Sequence, residues 1–167
     1  MTKRKHHPFG PRVKLSKNFT YGEMTKSKTA QRMGIKNIPN YEQLDALIDL
    51  CVNILQPIRD HFKKPVHVNS GFRGTEVNNA VPGSSRTSQH KKGEAADIEI
   101  YGISNIALAE WIRDNLEFDQ LILEYHTLED INSGWVHVSY TYRRRNRRQV
   151  LSKLSGEKRY RKGLVTQ

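Results

Sequence analysis

The chain has 167 residues, a formal net charge of +11 at pH 7 and a composition that is 36% hydrophobic and 27% charged. This length suits one domain with its own core, and the composition is typical of a globular protein rather than a disordered or fibrous one. The single cysteine, Cys51, excludes an internal disulfide and a metal site built on paired cysteines. No stretch is long and apolar enough to cross a bilayer, and no apolar segment follows the basic N-terminus as in a signal peptide. We therefore expect a protein synthesised in the cytoplasm without an export signal, and we treat it as a monomer.

The positive charge is concentrated at the two ends of the chain. Residues 1–17 contain six Lys and Arg and no acid, and residues 143–167 contain ten against Glu157 alone. The part between them is mildly acidic, which is not the basic face expected of a dedicated nucleic-acid-binding fold. We therefore divide the chain into a basic N-terminal arm (1–17), one domain (18–142) and a basic C-terminal tail (143–167).

Helical signals come first in the domain. Thr20, followed three residues later by Glu23, is the capping-box pattern that begins a short helix. In residues 40–62, apolar side chains recur at spacings of three and four, which predicts an amphipathic helix. Pro57 lacks an N–H group and should kink that helix in its last third. Cys51 lies on the apolar stripe, so we expect a buried and unreactive thiol.

Period-two alternation then predicts several strands. Apolar and polar residues alternate in PVHVNS (65–70), ADIEIY (96–101) and WVHVSYTY (135–142), and DQLILEY (119–125) is an apolar run of strand length. Before that run, Ser104 caps a predicted helix whose apolar residues again follow helical spacing. The predicted order is helices, strands, one helix and further strands.

Two of these strands direct potential metal ligands away from the core. Alternation places Asp97 and His137 on the polar faces of their strands. Gly93 would let the loop that carries His90 turn back closely against the strand of Asp97. Two imidazoles and one carboxylate, with a fourth position left open, are the ligands of a catalytic zinc. From spacing alone, however, His90 could equally be an ordinary loop residue. The remaining histidines considered are taken as packed or solvent-facing: His6, His7, His61 and His67.

The segment SGFRGTEVNNAVPGSSRTSQHKKGEAADI (70–98), together with WVHVS (135–139), resembles the zinc D-Ala-D-Ala carboxypeptidase family of peptidoglycan peptidases, which includes phage endolysins. The resemblance implies that the histidine and aspartate of the Ser-x-His-x-x-Gly-x-Ala-x-Asp pattern, His90 and Asp97, bind one zinc ion together with the later His137. It also implies an α+β fold in which helices pack on a central antiparallel sheet, like that of hedgehog and DD-peptidase domains. The domain 18–142 would then be the zinc peptidase domain.

The same resemblance implies roles for two further residues. The arginine of the SGFRG segment, Arg73, would bind the substrate carbonyl, and an always-charged guanidinium can stabilise a developing oxyanion. The alternative for Arg73 is a surface salt bridge. Ser88 would contact the substrate or hold its loop.

One family feature is absent from this chain. Relatives commonly carry the catalytic carboxylate three residues before the last histidine, where this chain has Gly134. Peptide hydrolysis still needs a general base, and we name Glu124, because a hairpin from LILE to WVHVS would set it beside His137. Asp130 and Glu94 are weaker candidates. Without any of them, the domain would bind metal without turnover.

The resemblance implies a peptidoglycan stem peptide as the substrate, cut either as a D,D-carboxypeptidase cuts it or internally, as an endopeptidase or endolysin does. The enzyme would act on the cell wall and would be encoded by a phage. The alternative is a nucleic-acid-binding or structural virion protein on an inactive metal-binding fold. The basic ends would be attracted to nucleic acid and to anionic cell-wall polymers alike.

Overall fold

The structure is a computed structural model that describes residues 9–166. Part of the N-terminal arm, with His6 and His7, therefore lies outside the described residues. The helices are α1 (Tyr21–Thr25), α2 (Lys28–Met33), α3 (Tyr41–Leu50), α4 (Gln56–Phe62), α5 (Thr75–Ala80) and α6 (Asn105–Asn115), with a π-helical turn at Cys51–Leu55 and a 3-10 turn at Gln89–Lys92. The strands are β1 (His67–Ser70), β2 (Ala95–Glu99), β3 (Gln120–His126), β4 (Trp135–Ser139), β5 (Gln149–Leu154) and β6 (Arg161–Lys162).

The helix signals are confirmed, with one change of geometry. Thr20 accepts from the backbone N–H of Glu23 at 3.2 Å, and the Glu23 carboxylate accepts from the N–H of Thr20 at 2.9 Å. The long predicted helix is present as α3 and α4, but a π-helical turn that ends at Leu55, two residues before Pro57, separates them. In a π-helical turn the backbone hydrogen bonds span one more residue than in an α-helix. This change of pairing accommodates Pro57, which has no N–H to donate. Cys51 is completely buried in the core.

The strands form one six-stranded sheet in the order β1-β2-β4-β3-β5-β6. The α+β class is therefore confirmed, and every neighbouring pair is antiparallel except β3 and β5, which are parallel. The connection after β4 explains the exception. The N–H groups of Arg148 and Gln149 donate to the carbonyls of Phe118 and Asp119, so β5 begins beside the start of β3. Two strands that start at the same end of a sheet run parallel.

Strands β5 and β6 come from residues 143–167, the segment that its charge set apart as a tail. The sequence did not predict them, because the apolar residues of QVLSKL are diluted by the basic residues around them. Residues of the N-terminal arm also join the body, since Leu15 is buried in the core and its N–H donates to the carbonyl of Phe19 at 2.9 Å. Both basic segments therefore contribute described residues to the folded body.

The two faces of the sheet have different surroundings. One face packs against the helices and forms the core with fully buried aliphatic side chains, each of which contributes about 1.5–3 kcal/mol to stability. This face and the helices opposite supply the core residues Val68, Ile98, Leu121, Leu123, Val136, Val138, Leu47, Ile54, Leu108 and Ile112. The other face carries Asp97, His137 and Glu124, as strand alternation requires. None of the described helices is long and apolar enough to cross a membrane.

Candidate metal centre

The backbone holds the His90 ring in one orientation. His90 lies in the 3-10 turn, where the Ser88 hydroxyl accepts from its N–H at 3.3 Å. The ring Nδ1 is 2.7 Å from the carbonyl oxygen of Gly71. Because a carbonyl only accepts, Nδ1 carries the hydrogen and Nε2 keeps its lone pair. That Nε2 atom is buried and has no hydrogen-bond partner.

Two glycines allow this arrangement. A Cβ on Gly71 would overlap the carbonyl oxygen of Met24, so only glycine lets this carbonyl approach the His90 ring. Gly93 has a φ of +74°, and a Cβ there would overlap the carbonyl of Gln43 at the start of α3. The predicted close return of the loop at Gly93 is thus present, with the loop packed on α3 as well as on β2.

Asp97 and His137 face each other across neighbouring strands. They are direct partners in the antiparallel register of β2 and β4. Nδ1 of His137 is 3.0 Å from Oδ1 of Asp97, and the same oxygen is 3.3 Å from Nε2 of His90. The three residues each offer one ligand atom, and these atoms lie within 4.8 Å of one another.

The protonation states of His90 and Asp97 are those that a metal requires. Burial lowers the pKa of His90, which keeps the imidazole neutral. Burial alone would raise the pKa of Asp97, but the nearby His90 and His137 hold it below its ordinary value, so the carboxylate is ionised. A neutral imidazole and a carboxylate are competent ligands, and a buried Nε2 without a partner is the position that a metal would satisfy. The donor set and the unpaired atom therefore fit a zinc ion.

The three residues line a cavity of about 660 Å³. Arg73 also lines it, with its backbone N–H donating to the carbonyl of His90 at 3.1 Å. Its Nε is buried and has no hydrogen-bond partner. Burial lowers the pKa of Arg73, while the charges of Asp97 and Glu124 act in the opposite direction. Among the described residues no carboxylate lies within ion-pair distance of Arg73, so the salt-bridge alternative has no support.

Glu124 lines the same cavity, on the strand that pairs with the strand of His137. It pairs with Trp135 on β4, and Ile122 is the residue directly opposite His137. The strand also continues past Glu124, through a register shift at Tyr125, whose φ is +53°. Burial raises the pKa of Glu124, and the opposing effect of His137 is smaller. Glu124 is thus a carboxylate with raised proton affinity beside the candidate ligands.

The other two candidate bases lie outside this cavity. Glu94 is buried, accepts from the Thr141 hydroxyl at 2.9 Å and lies 3.5 Å from Arg143. Asp130 is in the turn between β3 and β4, where its carboxylate accepts from the N–H of Asn132 at 2.9 Å. Neither lines the cavity, whereas Ser88 does.

The sequence did not predict that residues of the segment 143–167 line one wall of the cavity. Arg144, Arg147, Gln149, Leu151 and Tyr160 all line it. The strand pairing of β5 with β3 brings them there. No local pattern in the sequence indicates this pairing.

Comparison with known proteins gives one match. A family model described as peptidase M15 matches residues 17–139, which is more than half of the chain. The matched region holds the three candidate ligands as well as Arg73 and Glu124, and it ends with the last residue of β4. No curated protein matches the chain. The family match confirms the resemblance that the motifs in 70–98 and 135–139 indicated.

Proposed function

The chain belongs to the peptidase M15 family, and on that premise we propose that it is a zinc-dependent peptidase acting on the stem peptides of peptidoglycan. The observation that carries this proposal is the convergence of His90, Asp97 and His137, whose ligand atoms lie within 4.8 Å of one another in an open cavity. The α+β architecture agrees with the family, and we propose the hedgehog/DD-peptidase arrangement for its detail.

In the proposed reaction, His90, Asp97 and His137 hold the metal. A zinc ion in such a site supplies a Lewis acid that polarises the scissile carbonyl and lowers the pKa of water. The carbonyl of Gly71 keeps His90 in the tautomer whose Nε2 can bind metal. Strand pairing fixes Asp97 opposite His137, so the peptidase scaffold holds these ligands before substrate arrives.

Glu124 is the proposed general base. Its carboxylate takes a proton from the attacking water and passes it to the leaving amine, so that a C–O bond forms as the C–N bond breaks. Burial supports this role, because a raised pKa brings a carboxylate closer to the operating pH of such a reaction. Arg73 would donate to the carbonyl oxygen as negative charge develops there, which its buried and unpaired Nε supports. Ser88 would position the loop and contact the peptide from the cavity wall.

The proposal covers two modes of cleavage. A D,D-carboxypeptidase would remove the terminal D-Ala, and an endopeptidase of the endolysin type would cut an internal bond. We propose action on the cell wall by a phage-encoded enzyme, with exposed basic residues contacting anionic wall polymers. The alternative of a nucleic-acid-binding or virion protein has less support. Four of the five arginines in the run 143–148 already pair with carboxylates of the body.

Metal analysis and mass spectrometry of digested peptidoglycan test the proposal together. The wild type should contain about one zinc ion per chain, as a single tetrahedral site requires, and chelation should stop hydrolysis. His137→Ala should lose both the metal and the activity. His67→Ala is the matched control, because His67 is exposed on β1 outside the cavity, and it should retain both. Stoichiometric zinc without cleavage of any peptidoglycan bond would favour the inactive alternative. The masses of the fragments identify the bond that is cut.

A further inference from the structure

Two arginines from the run 143–148 line the cavity that contains the candidate metal ligands. Arg144 and Arg147 both form ion pairs with Asp119, a completely buried residue that precedes β3. Arg144 donates to its two oxygens at 2.6 and 2.9 Å, and Arg147 donates from Nη2 at 2.7 Å and from Nε at 3.1 Å. Both guanidinium groups are therefore fixed in place before any ligand binds, which lowers the entropy cost of binding one.

The two guanidinium groups together carry one more positive charge than is required to neutralise the carboxylate of Asp119. One guanidinium in two-point contact neutralises one carboxylate, so the second leaves a surplus of one positive charge. The side chains of Arg144 and Arg147 remain 48% and 47% exposed. Nε of Arg144 and Nη1 of Arg147 have no hydrogen-bond partner among the described residues. Both guanidinium groups therefore keep a donor after Asp119 is satisfied.

The cavity as a whole favours an anionic ligand. Of the described residues that line it, four are Lys or Arg and two are acids. Both acids, Asp97 and Glu124, lie at the metal end. The pair instead lies near Gln120 and Gln149, whose side chains also line the cavity and where the Gln120 amide donates to Oε1 of Gln149 at 2.8 Å. The surplus positive charge is thus separated from the catalytic carboxylates.

The register gives the backbone separation between Asp119, which the pair binds, and the strand position opposite His137. His137 is paired with Ile122, and Asp119 precedes that residue by three positions along the chain. At about 3.3 Å per residue, three positions correspond to roughly 10 Å. An extended peptide needs about three residues to span that distance, at about 3.3–3.6 Å each.

We propose that Arg144 and Arg147 form a subsite for a carboxylate of the bound peptide, about three residues from the bond that is cut. The subsite deepens the proposed peptidase function and rests on it. For cleavage at a D-Ala-D-Ala end, its ligand is an internal carboxylate of the stem peptide, because the terminal carboxylate there lies next to the scissile bond and is too close to the metal ligands to reach the pair.

Two synthetic stem peptides test the subsite. One has a free α-carboxylate on its internal glutamate, and the other is identical except that this group is an amide. Calorimetry with the full chain in the Glu124→Gln background, with zinc added, measures binding without turnover. The free carboxylate should bind about 10-fold more tightly than the amide, as expected for a charge-assisted hydrogen bond. Arg147→Gln should abolish this preference and leave the affinity for the amide unchanged.

Arg145→Gln is the matched control, because it removes the same charge from an exposed arginine that does not line the cavity, and it should keep the preference. Arg144→Gln is a second route to the same loss, for the case in which Arg147→Gln fails to fold. Equal affinity for the two peptides, no binding of either, or a preference that survives both arginine substitutions would overturn the subsite. Hydrolysis of both peptides by the wild type is measured separately, so the subsite can fail while the peptidase function stands. Absence of zinc binding and hydrolysis would instead count against the peptidase function.

Discussion

Gly134 lies directly against the backbone of Glu124. Its φ is +67°, and a Cβ at this position would overlap the carbonyl oxygen of Glu124 and lie 2.8 Å from the carbonyl carbon of Tyr125. A side chain of any size is therefore excluded at the position where relatives commonly carry the catalytic carboxylate. The backbone of this hairpin therefore leaves no room for a carboxylate at position 134, and the carboxylate of the β3–β4 hairpin that lines the cavity is Glu124.

Replacing Gly134 should reveal this steric conflict as lost stability. Gly134→Ala adds both the strain of a positive φ and the overlap with Glu124, so we expect it to lower the unfolding free energy by about 3 kcal/mol. Gly156→Ala is the control, since Gly156 has a φ of +81° and a Cβ there would have no neighbouring atom within 4 Å. It should cost only about 1 kcal/mol. Urea denaturation measures both, and equal losses would show that the overlap has no energetic weight.

Glu124→Gln should separate proton transfer from metal binding. Glutamine keeps the size of the side chain but cannot accept the proton, so kcat should fall by about 10²- to 10⁴-fold. Zinc content and thermal stability should stay close to wild type. Asp130→Asn is the control, because Asp130 lies in the hairpin turn outside the cavity, and its activity should be unchanged. If Glu124→Gln retains full turnover, another group takes the proton.

Chelation should lower the melting temperature of the protein. The ligands come from two strands and one loop, so metal binds only the folded state and stabilises it by about 2.7 kcal/mol at a hundredfold excess over Kd. Asp97→Asn weakens the site, and its melting temperature should respond little to chelator. Differential scanning fluorimetry with and without added zinc measures both proteins. Identical shifts in the two proteins would place the metal elsewhere.

The alternation of strand residues predicted which face carries Asp97 and His137, because period two is a local property of an extended chain. The orientation of His90 was beyond such reasoning, since it depends on contact with the carbonyl of Gly71, nineteen residues earlier. The sequence predicted a hairpin that sets Glu124 beside His137 but gave no register, and in the structure Glu124 pairs with Trp135. The bulge at Tyr125 shifts the pairing of β3 with β5, and bulges follow from packing rather than from sequence period.

The role of residues 143–167 illustrates another limit of the sequence. A run of arginines has the same sequence pattern whether its side chains are solvated or paired with carboxylates. The carboxylate that pairs with Arg144 and Arg147 belongs to Asp119, which lies far from them in the sequence, within the predicted strand 119–125. Only the folded chain brings Arg144 and Arg147 to that carboxylate. The charge pattern alone therefore predicted a tail.

Deletion of residues 143–167 should unfold the protein rather than remove a tail from an intact fold. The deletion removes β5 and exposes the edge of β3, the strand that carries Glu124. It also leaves Asp119 buried without its arginines, and an unpaired buried charge costs several kcal/mol. We expect loss of cooperative thermal unfolding and of small-peptide hydrolysis. Deletion of residues 165–167 alone is the control and should preserve both. A stable, active 1–142 fragment would show that the sheet does not need β5.

The ion cluster at Asp119 should make the protein sensitive to acid. Burial would raise the pKa of Asp119, but hydrogen bonds from Arg144 and Arg147 hold it below its ordinary value. A carboxyl group with a depressed folded-state pKa stabilises the fold above its unfolded pKa of about 3.9, and this stabilisation is lost as the pH falls below that value.

The unfolding free energy of the wild type should therefore fall between about pH 4 and pH 2 more steeply than that of Asp119→Asn, which has no proton to gain. At pH 7 the variant should be less stable by about 2–3 kcal/mol, since two arginines lose a charged partner. Asp45→Asn is the control, because Asp45 is exposed and forms no ion pair among the described residues, and its acid slope should match that of the wild type. Urea denaturation across this pH range measures all three proteins. Parallel slopes for the wild type and Asp119→Asn would mean that other carboxylates govern acid unfolding, and the arginines would then be holding Asp119 with no net effect on its proton affinity.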